Sequence, residues 1–241
     1  MIYRLDKFVS ESRGVTRTEA KKLLAKGAVA VNGVVIKKGD GKVDTAKDNV
    51  TINGRRVRAE KFVYIMLNKP AGIVSAAEDK NDVTVVDLVK KDFPNRNLFP
   101  AGRLDKTSTG FVLLTDDGEF AHNILSPKRH VDKTYIVTVD SPITGGVTEG
   151  FKTGVTLADG EKMLPAEIIP LEDNLKAKII LHQGVYHQIK RMLGVYGIGV
   201  NSLHRVKIGG LELDTALAPG EYRKITEEEL SKISDYKFTD C

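Results

Sequence analysis

The sequence predicts an α+β protein in two unequal parts, a small α/β module over residues 1–60 and a larger, strand-rich domain over residues 61–241. Three observations carry that reading. Strand-like runs crowd the larger part with helices inserted at irregular intervals, whereas a parallel α/β wind would alternate the two. The first 60 residues carry their own helix-start, helix-stop and turn signals. Charge divides at the same place: residues 1–60 hold fourteen Lys and Arg against seven Asp and Glu, leaving 23 basic and 25 acidic residues of the chain's 37 and 32 for the rest. A basic leading module is an electrostatic handle for a polyanion, and a solvated lysine-rich face is the plain alternative.

Composition narrows the class. With 241 residues, 41% hydrophobic and 29% charged, the chain has the make-up of a folded globular protein, not of a disordered, collagen-like or disulfide-framed one. Its one cysteine, Cys241, cannot form an intramolecular disulfide and has no neighbour for a Cys-based metal site. The strongly apolar stretch FVYIML near residue 62 is far shorter than a membrane span. The opening MIYRLDKFVSESRG mixes charges where a signal peptide needs an apolar segment. The expectation is a cytoplasmic protein that engages no membrane.

Taken in order, residues 2–12 place Ile2, Leu5, Phe8 and Val9 at helical spacing. Thr16-Arg-Thr-Glu19 has the form of a capping box, followed by an apolar stripe of Ala20, Leu23 and Leu24 and a stop at Gly27. Asn32-Gly33 lies between two β-branched runs, the pattern of a type I′ hairpin, and Asn53-Gly54 follows the strand-like residues 50–52. Arg17 and Lys21 share a helix face, close to Arg13 and Lys22. Residues 55–61 are polar, without periodicity, and are expected to be a linker. In the larger domain strands are expected at 62–67, 111–115, 134–139, 175–182 and 202–208, and helices near 82–90, 118–125, 186–196 and 226–233.

Several chemistries lose their supports. There is no G-x-x-x-x-G-K-[ST], no G-x-G-x-x-G and no H-E-x-x-H in the chain, so triphosphate, dinucleotide and zincin readings fall away. His182 and His187 lie five apart across a glycine-containing turn, a spacing more often met in hydrogen-bonded surface histidines than in metal ligands. No metal is expected. The richest segment is Gly102-Arg-Leu-Asp105 followed by Thr-Ser-Thr-Gly110, a buried strand and Asp116-Asp117-Gly118. Taken alone, Asp105 with Arg103 two positions away reads as a structural loop carboxylate.

The pattern G-R-L-D-x-x-T-x-G, four hydrophobic residues and T-x-D-G resembles the catalytic motif of the RNA pseudouridine synthases of the RsuA and RluA superfamily. Further segments follow in the family's order. Met66-Leu-Asn-Lys-Pro-Ala-Gly72 is similar to its N-K-P-x-G opening, Lys133-Thr-Tyr135 to its K-x-Y, and Gly184-Val-Tyr-His-Gln-Ile-Lys-Arg-Met-Leu193 to its G-x-x-H-Q-[IV]-[KR]-R-M. Residues 203–210 and 217–223 resemble the RsuA branch, and Arg4-Leu-Asp-Lys-Phe8 with Val29-Ala-Val-Asn-Gly33 resembles the RNA-binding module of ribosomal protein S-four.

The resemblance implies the pseudouridine synthase fold, a mixed, mainly antiparallel sheet with flanking helices, behind an S-four-type module. It implies isomerisation of a uridine in small-subunit (16S) rRNA without a cofactor, because uracil leaves C1′ through nitrogen and returns through carbon with no atom or electron lost. Asp105 is then the catalytic carboxylate, acting at the sugar, at the uracil ring or on a ribose proton, and these routes stay open. Lys190 is the cation that keeps Asp105 ionised against desolvation, as a point charge where many relatives carry a bidentate Arg. Tyr135 stacks on the target base, Leu193 contributes to the apolar pocket, and Arg103 holds a phosphate or the loop. Arg4, Lys7, Arg13, Arg17, Lys21 and Lys22 are the candidate RNA-backbone contacts.

The target would have to be extruded from any helix at a cost of a few kcal/mol. The partner is rRNA, free or in a partly assembled ribosomal particle, met by a monomer. Competing readings are a large-subunit (23S) enzyme of the RluB, RluE or RluF type, a catalytically silent RNA-binding assembly protein, and a glycosidase-like hydrolase, which would need a second carboxylate.

Overall fold

A computed structural model describes residues 2–57, 61–126, 131–171 and 173–233. They form two compact units, one of residues up to 63 together with 89–97, the other of residues 64–88 and those from 98 onward.

The first unit begins with strand β1 (Ile2–Arg4), helix α1 (Leu5–Arg13) and helix α2 (Arg17–Ala25). The helix expected from residue 2 therefore starts three residues later. Ile2, Tyr3 and Arg4 pair with Asp44, Val43 and Lys42, so the N-terminal apolar residue is used in a strand and Ile2 stays exposed. The capping box at α2 is formed: the Glu19 amide donates to Thr16 Oγ1 at 3.2 Å and the Thr16 amide to Glu19 Oε2 at 2.8 Å. Strands β2 (Val29–Val31), β3 (Val34–Val35), β4 (Lys42–Asp44), β5 (Val50–Ile52) and β6 (Arg55–Arg56) follow. Both Asn-Gly pairs make hairpin turns with positive φ at each central residue, 51° and 83° at Asn32-Gly33 and 51° and 75° at Asn53-Gly54. The second hairpin corrects the expected linker: Arg55 and Arg56 pair with Ile52 and Thr51, and residues 58–60 lie outside the described residues. Leu5, Phe8, Val9, Ala20, Leu24, Val29, Val43, Val50 and Ile52 make the core that joins helices to strands.

The second unit is built on a nine-stranded sheet. Its elements are β7 (Tyr64–Lys69), α3 (Val85–Val89), β8 (Phe99–Pro100), β9 (Thr109–Thr115), α4 (Gly118–Leu125), β10 (Lys133–Val139), α5 (Gly145–Thr153), β11 (Glu167–Pro170), β12 (Lys176–Leu181), α6 (Gln188–Gly194), β13 (Val200–Ile208), β14 (Leu211–Glu212), β15 (Tyr222–Lys224) and α7 (Glu227–Ile233). The order is β11-β12-β10-β13-β9-β7-β15, with β14 beside β13 and β8 beside β9. Every pairing is antiparallel except β13 with β9, which is parallel. At that joint Gly110, with φ 100°, lies so close to the Arg205 backbone that a Cβ would collide with it, which is why a glycine ends Thr-Ser-Thr-Gly. Asp117 caps α4 by accepting from the Phe120 amide at 3.0 Å, and its other oxygen accepts from the Tyr64 hydroxyl at 2.6 Å.

The sequence reading passed over α5 and the strands β8, β11, β14 and β15. Three of the nine residues of α5 are glycines, which masks its helical pattern; it is held by Val147 and Phe151, both buried. At Gly150 the Tyr196 hydroxyl lies where a Cβ would stand, so a larger residue would need Tyr196 to move.

Candidate active site

The loop between β8 and β9 carries Arg103, Leu104, Asp105, Lys106, Thr107 and Ser108, and its shape is fixed mainly through backbone carbonyls. Lys69, at the end of β7 and fully buried, donates from Nζ to the carbonyls of Asp105 at 3.1 Å, Lys106 at 3.3 Å, Ser108 at 2.7 Å and Pro70 at 3.1 Å. Ser75 braces Leu104 from both sides, donating to its carbonyl at 2.9 Å and accepting from its amide at 3.1 Å. The Gly72 amide donates to the Lys106 carbonyl at 2.8 Å. From β13, the buried Arg205 donates to the Phe111 carbonyl at 2.7 Å and, at 3.4 Å, to the carbonyl of Arg103. A side chain whose anchors are held this way is pre-organised.

The Asp105 carboxylate emerges from this loop partly exposed, facing His187 at the N-cap of α6 and Lys190 in its first turn. Lys190 Nζ lies 3.4 Å from Oδ2, and His187 Nε2 lies 3.3 Å from Oδ1. Lys190 also donates to Thr107 Oγ1 at 3.3 Å. His187 is the N-cap of α6 with φ 52°, a left-handed conformation that an ordinary residue adopts at a cost and that recurs at functional sites.

Behind the loop, positive charge is buried. Burial pushes the Lys69 ammonium down to about 8, with the Arg205 charge adding to the effect and Asp105 opposing it. Lys133, whose Nζ donates to the Ile124 carbonyl at 3.3 Å, is likewise pushed down to about 8 by burial and then by Arg205. One carboxylate with Lys190 on one oxygen and His187 on the other is held in a fixed direction, as a nucleophile or base needs to be.

The family model for RNA pseudouridylate synthase matches residues 63–194, the stretch that contains this loop, Tyr135 and α6. The chain belongs to the RNA pseudouridine synthase family. An S4 domain model matches residues 4–48 of the first unit. The chain is 43% identical over 235 residues to the uncharacterized RNA pseudouridine synthase YtzG of Bacillus subtilis, covering 96% of this chain and 98% of that protein. It is 43% identical over 235 residues to ribosomal small subunit pseudouridine synthase A of Vibrio vulnificus, with 95% and 99% covered. For the protein of that name from Escherichia coli K12 the figures are 37% over 231 residues, with 95% and 99% covered. A crystal structure of pseudouridylate synthase superimposes with a TM-score of 0.67 at 38% identity over 95% of this chain and 99% of that one.

In this family member Asp105 and Lys190 come together as an ion pair. Tyr135 is 8% exposed on β10, opposite Arg205 on one side and Ile179 on the other; among the described residues its hydroxyl bonds neither Asp105 nor Lys190. Leu193 follows Lys190 on α6 and is fully buried. Arg103 points its exposed side chain away from the interior while its carbonyl is tied to Arg205. His182 and His187 do not form a pair: His182 Nδ1 is 2.6 Å from Asp132, and no group of three or more ligands suited to a metal occurs among the described residues.

On the first unit, Arg13, Arg17, Lys21 and Lys22 are exposed and make no ion pair with a described residue. Arg4 and Lys7 differ. Arg4 donates to both oxygens of the buried Asp6, at 3.1 and 2.9 Å, and Lys7 lies 3.6 Å from Glu11. The Arg4 guanidinium holds the Asp6 carboxyl below the usual carboxylate range. No described helix is long and apolar enough to cross a membrane.

Four residues of the site escaped the sequence reading as functional: Lys69, Thr107, His187 and Arg205. Lys69 and His187 sit inside quoted motifs, so their positions were visible and their partners were not. Arg205 carries no local signal, because its loop contact spans 102 positions of sequence.

Proposed function

We propose that this enzyme converts one uridine of small-subunit (16S) rRNA into pseudouridine, without a cofactor. The observation that carries the substrate is the near-full-length match to relatives named ribosomal small subunit pseudouridine synthase A. The geometry supports Asp105 as the catalytic carboxylate, because its two oxygens face Lys190 and His187 and its backbone is locked from Lys69. In the reaction the N1–C1′ bond breaks, uracil turns, the C5–C1′ bond forms, and the C5 proton is given up as N1 gains one. Lys190 pairs with the Asp105 carboxylate, Tyr135 stacks on the extruded uracil, Leu193 closes the apolar side, and Arg103 takes a backbone phosphate.

Residues 1–60 form the RNA-binding domain and residues 61–241 the catalytic domain. Arg13, Arg17, Lys21 and Lys22 contact phosphates, with Arg4 and Lys7 contributing after exchange with Asp6 and Glu11. The enzyme acts in the cytoplasm as a monomer, on rRNA that is free or in a partly assembled particle.

The test is incubation of the purified protein, without added cofactor, with small- and large-subunit rRNA transcripts and assembly particles, mapping pseudouridine by carbodiimide-dependent reverse-transcriptase stops. One new stop in the small-subunit RNA is expected, absent with Asp105→Asn, whose RNA affinity stays within a few-fold because the phosphate-binding surface is untouched. A stop confined to the large-subunit RNA would overturn the substrate, and normal turnover by Asp105→Asn would overturn the residue.

A further inference from the structure

We propose that Tyr186, backed by His187, is a stacking platform for an unpaired nucleobase adjacent to the target uridine. The inference rests on the RNA substrate of the family and is independent of which rRNA is modified. Tyr186 is 73% exposed, the most exposed large hydrophobic side chain among the described residues. Its ring stacks on that of His187 with centroids 3.8 Å apart and planes 20° from parallel, so one π face is spoken for and the other meets solvent. The same His187 ring places Nε2 3.3 Å from Asp105. An open aromatic face therefore stands one ring away from a ring in contact with the catalytic carboxylate.

The platform is held in place. The segment that bears it starts at His182, bonded to Asp132 at 2.6 Å, and continues through Gln183, whose Oε1 accepts from the Leu164 amide at 2.9 Å. It ends at the buried Gln188, whose Oε1 accepts from the Val185 amide at 3.3 Å. The left-handed backbone of His187 turns the chain so that successive side chains stack instead of alternating. Isolated exposed aromatics are ordinary; one fixed by its own stacking partner at the edge of a nucleic-acid site is a ready surface for a base.

The chemistry of the substrate supplies the occupant. Extruding a uridine leaves its neighbours without a stacking partner on one side, and single-stranded RNA is taken up by stacking bases on aromatic rings. Tyr135, 8% exposed, is kept for the target uracil, whereas Tyr186 offers its open ring outside the pocket. Stacking without hydrogen-bond readout accepts any base, so this subsite adds affinity and little sequence preference.

The test compares the full-length wild type, Tyr186→Ala and Tyr186→Phe in binding two fluorescent RNA decamers by anisotropy. One has a single central uridine among adenosines; the other has abasic riboses on both sides of that uridine. The wild type is expected to prefer the intact decamer by about 5- to 150-fold, the range that base–aromatic stacking gives. Y186A loses that preference and Y186F, which keeps the π face, recovers most of it. Equal preference in Y186A and wild type, or none in the wild type, would overturn the platform. In turnover on small-subunit RNA, Y186A raises KM with kcat within about threefold; a fall confined to kcat would instead make Tyr186 a buttress of His187 and refute the proposal. If the wild type modifies no small-subunit uridine, the rRNA assignment fails while the decamer comparison still decides the platform.

Discussion

Lys69→Met replaces a buried ammonium by an apolar chain of similar length and should show how far the catalytic loop depends on one cation. Four carbonyls accept from Lys69 Nζ, at 2.7 to 3.3 Å. An ammonium has three protons, so the four contacts amount to about three hydrogen bonds, and at the lower figure of about 1.5 kcal/mol each the gross loss is about 4.5 kcal/mol. The substitution also removes the cost of keeping the charge out of water. A displacement from 10.5 to about 8 corresponds to about 3 kcal/mol at 1.36 kcal/mol per pH unit.

The expected net destabilisation is about 1.5 kcal/mol, or a fall of about 3–6 °C in the unfolding midpoint for a protein of this size. Three of the four released carbonyls belong to the Asp105 loop, so the carboxylate loses its fixed position, and a misplacement near 1 Å costs roughly 100-fold in rate. Thermal unfolding followed by circular dichroism, with single-turnover rates measured at 20 °C where the variant stays folded, gives both quantities. A midpoint within 2 °C of wild type together with a rate within threefold would refute the view that Lys69 positions the loop.

The same lysine predicts an alkaline limb. Lys69 and Lys133 are both held down at about 8, so between about 8 and 10.5 the native state binds fewer protons than the unfolded chain, and their contribution to stability rises with pH across that window. Turnover should fall as pH passes 8, because neutral Lys69 has fewer protons to donate, while these groups add no loss of stability; a flat rate from pH 7 to 9.5 would contradict this. For RNA binding, changing Arg17, Lys21 and Lys22 to Gln should flatten the plot of log affinity against log salt by about 0.7 for each phosphate no longer neutralised. Arg4→Gln should flatten it far less, since Arg4 is already paired with Asp6; equal slopes for the triple variant and wild type would show that this face does not meet RNA.

Much of the fold was legible where local chemistry decides it. Thr16 and Glu19 spelled a helix start, the two Asn-Gly pairs spelled hairpins, and apolar runs located the strands β7, β9, β10, β12 and β13. Misreadings arose where tertiary pairing outweighs local pattern. Ile2 fits a helical stripe but is drawn into a strand by residues 42–44, and Arg55–Arg56 look like linker yet complete a hairpin. Glycine-rich α5 has poor intrinsic propensity and exists through burial of Val147 and Phe151. At the site, the sequence order of motifs brought Asp105 and Lys190 to attention. The supporting contacts of Lys69 and Arg205 span 36 and 102 positions and involve backbone carbonyls, which no residue pattern encodes.

The single parallel joint between β9 and β13 has a kinetic consequence. Its partners, Thr109 with His204 and Gly110 with Arg205, are 95 positions apart, and contacts so distant in sequence form slowly because loop closure must precede their gain. A chain made from its N-terminus exposes Lys69 and Asp105 to the cell well before Arg205 has been synthesised. The loop that carries the carboxylate thus stays without its Arg205 tie until β13 docks beside Gly110, so an ordered loop is among the last features of this unit to form.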